Sequence, residues 1–163
     1  MRRVQVVALL PLLILIPAAP ATAAVSCHQI TSKGVGQAAP PQAGDPPGLI
    51  RTLARIRGGG LLQGTTEAAF QVTSPTPTGI AFAGDITFTT NRATLTVELD
   101  GTLDLATGDF QASGDVSEAT GKLDGATGAI TLTGVQNLLD PAGGFTETVS
   151  GEICVDLASN GNA

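Results

Sequence analysis

Few side chains in this 163-residue chain could do chemistry, and Glu147 is the most conspicuous of them. It stands on a line otherwise made of Phe145, Val149, Ile153 and Val155. A carboxylate on an apolar line is costly unless it is paired or wet. Two readings follow. Either Glu147 projects into an interior, where it meets a ligand or a basic partner such as Arg92, or it lies at a strand's exposed end or is turned out by a bulge. Gln136 is placed in a similar way, continuing the line Ile130, Leu132, Gly134 and Leu138. An amide inside a cavity orients a small apolar ligand by hydrogen bonding, whereas a strand end leaves it in solvent.

The other candidates read more simply. Arg51, Arg55 and Arg57 form a basic cluster that suits an acidic ligand or, equally, a solvated face answering the acidic excess. Asp100-Gly101 and Asp124-Gly125, with Asp104 nearby, fit turns, because no EF-hand loop or calcium nonapeptide is present. His28 has no serine–carboxylate context. A Cys27–His28 pair is a poor catalytic or metal unit, since adjacent residues of a strand face opposite ways. No G-x-S-x-G, H-E-x-x-H, phosphate-loop or dinucleotide pattern occurs. No cofactor and no metal are therefore expected.

Composition narrows the classes further. The chain carries 14 Asp and Glu against 8 Lys and Arg, with one His and neither Trp nor Tyr. That excludes a basic nucleic-acid footprint and leaves few rings on which bases could stack.

The N-terminus has the three parts of a secretory signal. Arg2 and Arg3 precede the apolar run Val4–Ile16, Pro17 and Pro20 break it, and Ala21-Thr22-Ala23-Ala24 offers small residues for cleavage. The run is short for a membrane span, which needs about 20 residues, so no span is expected in the mature chain. Cleavage after residue 24 leaves six basic and fourteen acidic residues, a net charge of −8. Export gives the two cysteines a use: Cys27 and Cys154 are expected to form a disulfide. It would close a loop of about 128 residues and contribute on the order of 4–5 kcal/mol in the chain-entropy picture. The alternatives are a lipid anchor on Cys27, since Ala24-Val25-Ser26-Cys27 resembles a lipobox, or two free thiols.

The elements that must position these residues are strands. Residues 34–48 are rich in Pro, Gly and Ala and read as a loop. Residues 49–57 fit either a helix, capped by Asp45 with Arg55 and Arg57 near its end and Gly58 beyond, or a strand, and the expectation is a short helical or irregular turn through about residue 52 followed by a strand. From residue 58 onward apolar residues recur every second position. The clearest case alternates Ala93, Leu95, Val97, Leu99, Gly101, Leu103 and Leu105 with Thr94, Thr96, Glu98, Asp100, Thr102 and Asp104. Its unbroken alternation favours one long strand bending at Gly101. Residues 101–110 (GTLDLATGDF) and 121–130 (GKLDGATGAI) form an internal repeat, read as two hairpin corners turning at Ala-Thr-Gly.

Seven or eight short strands with many inward Gly and Ala residues predict an all-β protein, a single antiparallel barrel of about eight strands. The expected organisation is a signal peptide (1–24), an N-terminal segment with the Pro/Gly-rich loop (25–52), the barrel (53–157) and a disordered tail (158–163).

Gly58–Thr66 (GGGLLQGTT), the GTLDLATG segment and ATGKLDGATGAITLTG resemble secreted bacterial proteins of the allene oxide cyclase-like barrel type, a barrel class shared with dirigent proteins. The resemblance covers roughly residues 55–157. It implies an eight-stranded antiparallel barrel with a lumen. The expected function is an exported, non-catalytic barrel that binds a small hydrophobic ligand or serves a structural or interaction role. The alternative is a cyclase- or isomerase-like enzyme acting on an apolar substrate, with Glu147 as general base or steering group. Glu147, Gln136 and Arg92 are the candidate ligand contacts.

Overall fold

The structure, a computed structural model, describes residues 25–58, 60–139 and 144–157. The signal segment (1–24) and the tail (158–163) lie outside the described residues.

Eight strands form one closed barrel in which every neighbour is antiparallel: β1 (Ser26–Ala39), β2 (Ile50–Arg57), β3 (Gly64–Pro75), β4 (Gly79–Thr89), β5 (Thr94–Asp104), β6 (Asp109–Ala119), β7 (Thr127–Gln136) and β8 (Phe145–Val155). Each strand pairs with the next in sequence, and β1 closes the ring on β8. Closure removes the exposed sheet edge that an open β-meander would present. An eight-stranded barrel has an interior just wide enough for side chains to fill, and the alternation dictates which ones enter. Leu95, Val97 and Leu99 of β5 are at most 2% exposed, while Glu98 between the last two and Asp100 just beyond them face solvent.

One end of the barrel is plugged. Short 3-10 turns at Gly60–Leu62 and Gly121–Leu123 place Leu62 and Leu123 across it, both buried, beneath Phe88, Ile153 and Val155. The Cys27–Cys154 disulfide lies at this end, on the outside of the β1–β8 seam, where the two residues stand directly opposite. It therefore ties the first described strand to the last at the pair that closes the ring.

Three sequence expectations need correction. Residues 34–39 belong to β1 rather than to a loop, so the connection is confined to residues 40–49 and the barrel begins at Ser26, not at residue 53. Gly34 and Gly36 hide the alternation because they carry no apolar side chain, yet they occupy inward positions opposite Glu147 and Phe145. Residues 50–52 are strand, not helical turn: pairing of Ile50 with Phe70 and of Ala39 with Arg51 holds them extended from both sides. The second Ala-Thr-Gly does not turn the chain. Thr127 and Gly128 already pair with Cys154 and Ile153. The turn is made before them, with Gly121 and Gly125 at φ 62° and 70°, a region that favours glycine.

The long-strand reading of β5 holds, and the reading of Asp100-Gly101 as turn residues does not. β5 runs unbroken through Gly101, which pairs with Phe82 on β4 and Ala112 on β6. Asp100 is thus an exposed strand residue rather than part of a turn. Asp104 does hold a turn, its Oδ1 accepting from the Ala106 and Thr107 amides at 2.7 and 3.1 Å.

Candidate functional site

The opposite end of the barrel is the mouth, where β2, β4, β6 and β8 begin and β1, β3, β5 and β7 end. Below it lies a cavity of about 90 Å³. Its wall carries four of the five phenylalanines, Phe70, Phe82, Phe110 and Phe145. Phe70 and Phe82 pack with ring centroids 5.1 Å apart, and Phe110 meets Phe145 edge to face at 6.0 Å, arrangements that aromatic quadrupoles favour. The fifth, Phe88, is fully buried in the core beneath.

Glycines on neighbouring strands make the room for these rings. A side chain at Gly36, Gly101 or Gly134 would run into Phe145, Phe82 or Phe110 respectively, and each glycine is the register partner of the ring that covers it. This is the packing by which an aromatic shields the bare backbone of a strand glycine.

Glu147 occupies the same kind of place. It lies on β8 between Gly34 of β1 and Gly134 of β7, and its carboxylate rests over Gly34. It is 7% exposed and lines the cavity, so the inward reading of this residue is the one realised. Its Oε1 has no hydrogen-bond partner among the described residues. Burial alone pushes its pKa from 4.5 up to about 7, as expected of a carboxylate that has lost its water without gaining a partner. Among the described residues lining the cavity it is the one charged group.

Gln136 also lines the cavity, half-buried at the end of β7 and paired with Phe145. Arg92 does not. It sits in the β4–β5 turn at the plugged end, in a surface depression shared with Arg55, Arg57 and Lys122. The length of the barrel interior separates it from Glu147, so the proposed ion pair between them is not formed. The alternation on which Glu147 and Gln136 were placed is a local signal, whereas the end to which a turn residue belongs depends on the whole strand order.

The arginine cluster is divided as well. Arg51 grips Asp45 with two nitrogens, at 2.7 and 2.8 Å, and reaches Glu67 at 3.0 Å. The Arg51 guanidinium, with help from the Gln42 amide, lowers the Asp45 pKa to about 2. Gln42 also donates to Glu67 at 2.9 Å. These contacts pin the β1–β2 loop to the outer face of β2 and β3 beside the mouth.

Two further polar side chains face inward. Ser32 is 2% exposed, its Oγ without a hydrogen-bond partner among the described residues, and Thr66 is 3% exposed and lines the cavity. Ser32 follows Ile30 at the strand period, a signal present in the sequence but masked by the glycines after it. His28 bonds Ser26 at 2.9 Å near the plugged end. The grouping of Cys27, Cys154 and Glu152 offers an ion no more than a lone carboxylate, because both sulfurs are in the disulfide. No helix among the described residues is long and apolar enough to cross a membrane. Comparison with protein-family models, curated proteins and solved structures finds no match to this chain.

Proposed function

We propose that this protein is an exported binding barrel that takes a small, largely apolar ligand through its mouth. The observation that carries the reading is the unpartnered Glu147 Oε1 at the wall of an aromatic cavity. Binding sites of this kind combine an apolar wall with a few placed polar groups that fix orientation. Here those groups are Glu147, Gln136, Thr52 and Thr66. A structural role alone gives no reason to keep a desolvated carboxyl in the barrel, since a leucine there would remove the burial cost.

The cavity is smaller than the 150 Å³ or so that holds a benzene in an engineered protein core. The ligand, or the part of it that enters, is correspondingly a short chain or small branched group. Export is supported by the signal-like N-terminus and by the disulfide across the barrel seam. The closed eight-stranded antiparallel barrel agrees with the resemblance to the allene oxide cyclase-like type.

A second reading, a cyclase- or isomerase-like reaction, is favoured by one observation. A carboxyl titrating near 7 is suited to move a proton at neutral pH. It would need a partner to stabilise the charge that develops, and the lining offers the Gln136 amide and the Thr52 and Thr66 hydroxyls. Binding asks less of the same residues and is the better supported.

The test is a titration of the disulfide-bonded protein with linear alcohols and amines of three to six carbons, followed by methyl NMR. Saturable shifts confined to Ile80, Ile86, Leu103 and Leu132 around the cavity are the expected result. Shifts that do not saturate, or that scatter over exposed methyls such as Leu139, would overturn the reading.

A further inference from the structure

We infer that the cavity selects an organic cation, a small primary ammonium group on a short apolar body, over a neutral or anionic molecule of the same shape. The inference rests on the binding reading above and names the chemistry of its ligand.

Three features of the site point the same way. The first is charge. Glu147 is the one ionisable residue among the described cavity-lining side chains, and the nearest cation along the strands, Lys33 beside Gly34, points to the outer face of β1 and does not line the cavity. The cavity lining therefore carries an acidic group with no cationic side chain to balance it or to attract an anion. The second is the wall. Phe110 lies over Gly134, the β7 partner of Glu147, and Phe145 lies two residues before it on the same face of β8. The carboxyl thus sits beside an edge-to-face ring pair, with Phe70 and Phe82 completing the aromatic lining. Ring faces attract cations through their quadrupole, most strongly when water is excluded. The third is the hydrogen-bond inventory. An ammonium group has three donors and no acceptor. The cavity offers the unpartnered Glu147 Oε1, the Gln136 amide oxygen and the Thr66 and Thr52 hydroxyls as acceptors.

The usual objection to a buried ion pair is the loss of water from both charges. Here folding has already desolvated the carboxyl, so only the incoming ammonium loses water on entry. A short alkyl tail reaching toward the mouth would then lie against Ile50, Ile80 and Leu103.

The experiment compares n-butylammonium, 1-butanol and butyrate with the disulfide-bonded protein by calorimetry and methyl NMR. At pH 8 the amine is expected to bind at least about tenfold tighter than the alcohol, as a charge-assisted bond replaces a neutral one, and butyrate is expected not to bind. In Glu147→Gln the preference should vanish while the alcohol still binds. In the unmodified protein the preference should also shrink between pH 8 and pH 5, as Glu147 takes up a proton, which tests the inference without a variant. If the alcohol binds as tightly as the amine, or if the preference survives in Glu147→Gln, the cation inference fails and the apolar-ligand reading stands. If none of the three shifts the cavity methyls, both fail.

Discussion

Gly34 and Glu147 face each other across the β1–β8 pairing, and the Glu147 carboxylate fills the space in which any larger residue at 34 would place its Cβ. The glycine is thus a condition for an inward carboxyl at 147. Gly34→Ala forces the side chain against a packed wall, and overpacking of this kind costs about 1–3 kcal/mol. The cost depends on the glutamate. In a Glu147→Ala background the same substitution is expected to cost far less, because the displaced atoms are gone. A double-mutant cycle by urea denaturation reads the coupling directly. Additive effects of the two substitutions would show that Gly34 is needed for some other reason.

The unpaired carboxyl makes stability depend on pH in a direction opposite to the common carboxylate. The pKa of Glu147 is raised on folding, from 4.5 to about 7. The folded protein therefore binds more protons than the unfolded chain between those values. Its contribution is fully present below pH 4.5 and is lost as pH rises through 7. A displacement of this size corresponds to about 3 kcal/mol between the two limits. Denaturation midpoints measured at pH 5.5 and 8.5 should fall with rising pH in the unmodified protein. In Glu147→Gln that decline should be largely removed and stability at pH 8.5 should rise. A Glu147→Gln protein no more stable than its parent at pH 8.5 would place a partner on the carboxylate.

How far this site could be read from sequence depended on how local each signal was. The period of two along their own strands sets Glu147 and Gln136 on apolar lines, which leaves an inward position and an exposed strand end both open, and the strands carry them inward. β5 was legible from end to end because its apolar and polar residues alternate without a break. Gly34 and Gly36 misled for a physical reason. An inward glycine leaves no hydrophobic mark, and what makes it inward is the glutamate or ring standing on the adjacent strand, more than 100 residues away in sequence. The same non-locality governs Arg92. Its turn is obvious from Asn91-Arg92, but its distance from Glu147 follows only from which strand ends gather at the mouth.

The disulfide should govern how the barrel opens. Cys27 and Cys154 are separated by 127 residues and join the two strands whose pairing closes the ring. Constraining so long a loop in the unfolded chain contributes about 4–5 kcal/mol in the entropic picture. The Cys27→Ser, Cys154→Ser double variant is expected to lose stability of that order. Hydrogen exchange should show where: amides of the β1–β8 seam lose protection first, while β4 and β5, sealed on both sides by neighbouring strands, keep theirs longest. Uniform loss of protection around the ring would show that the disulfide acts on the unfolded chain alone and not on seam opening.

Phe110 sets the size of the cavity. Its ring covers Gly134 beside Glu147 and stands edge-on to Phe145. Phe110→Ala removes the ring, bares the Gly134 backbone and joins the vacated volume to the existing space. The stability cost is expected at about 3 kcal/mol, the low end for such truncations, because the ring is only half-buried. Ligand selection should change with it. Apolar engineered cavities large enough for a benzene take one up, so the variant is expected to bind benzene or a branched amine that the parent excludes. A Gly134→Phe second substitution cannot restore the parent, because a side chain at 134 starts from the β7 backbone and would have to displace the Thr146 carbonyl that lies against it. Thermal denaturation with and without benzene, in parent and Phe110→Ala, checks the point. Stabilisation of both proteins, or of neither, would mean that the ring does not limit entry.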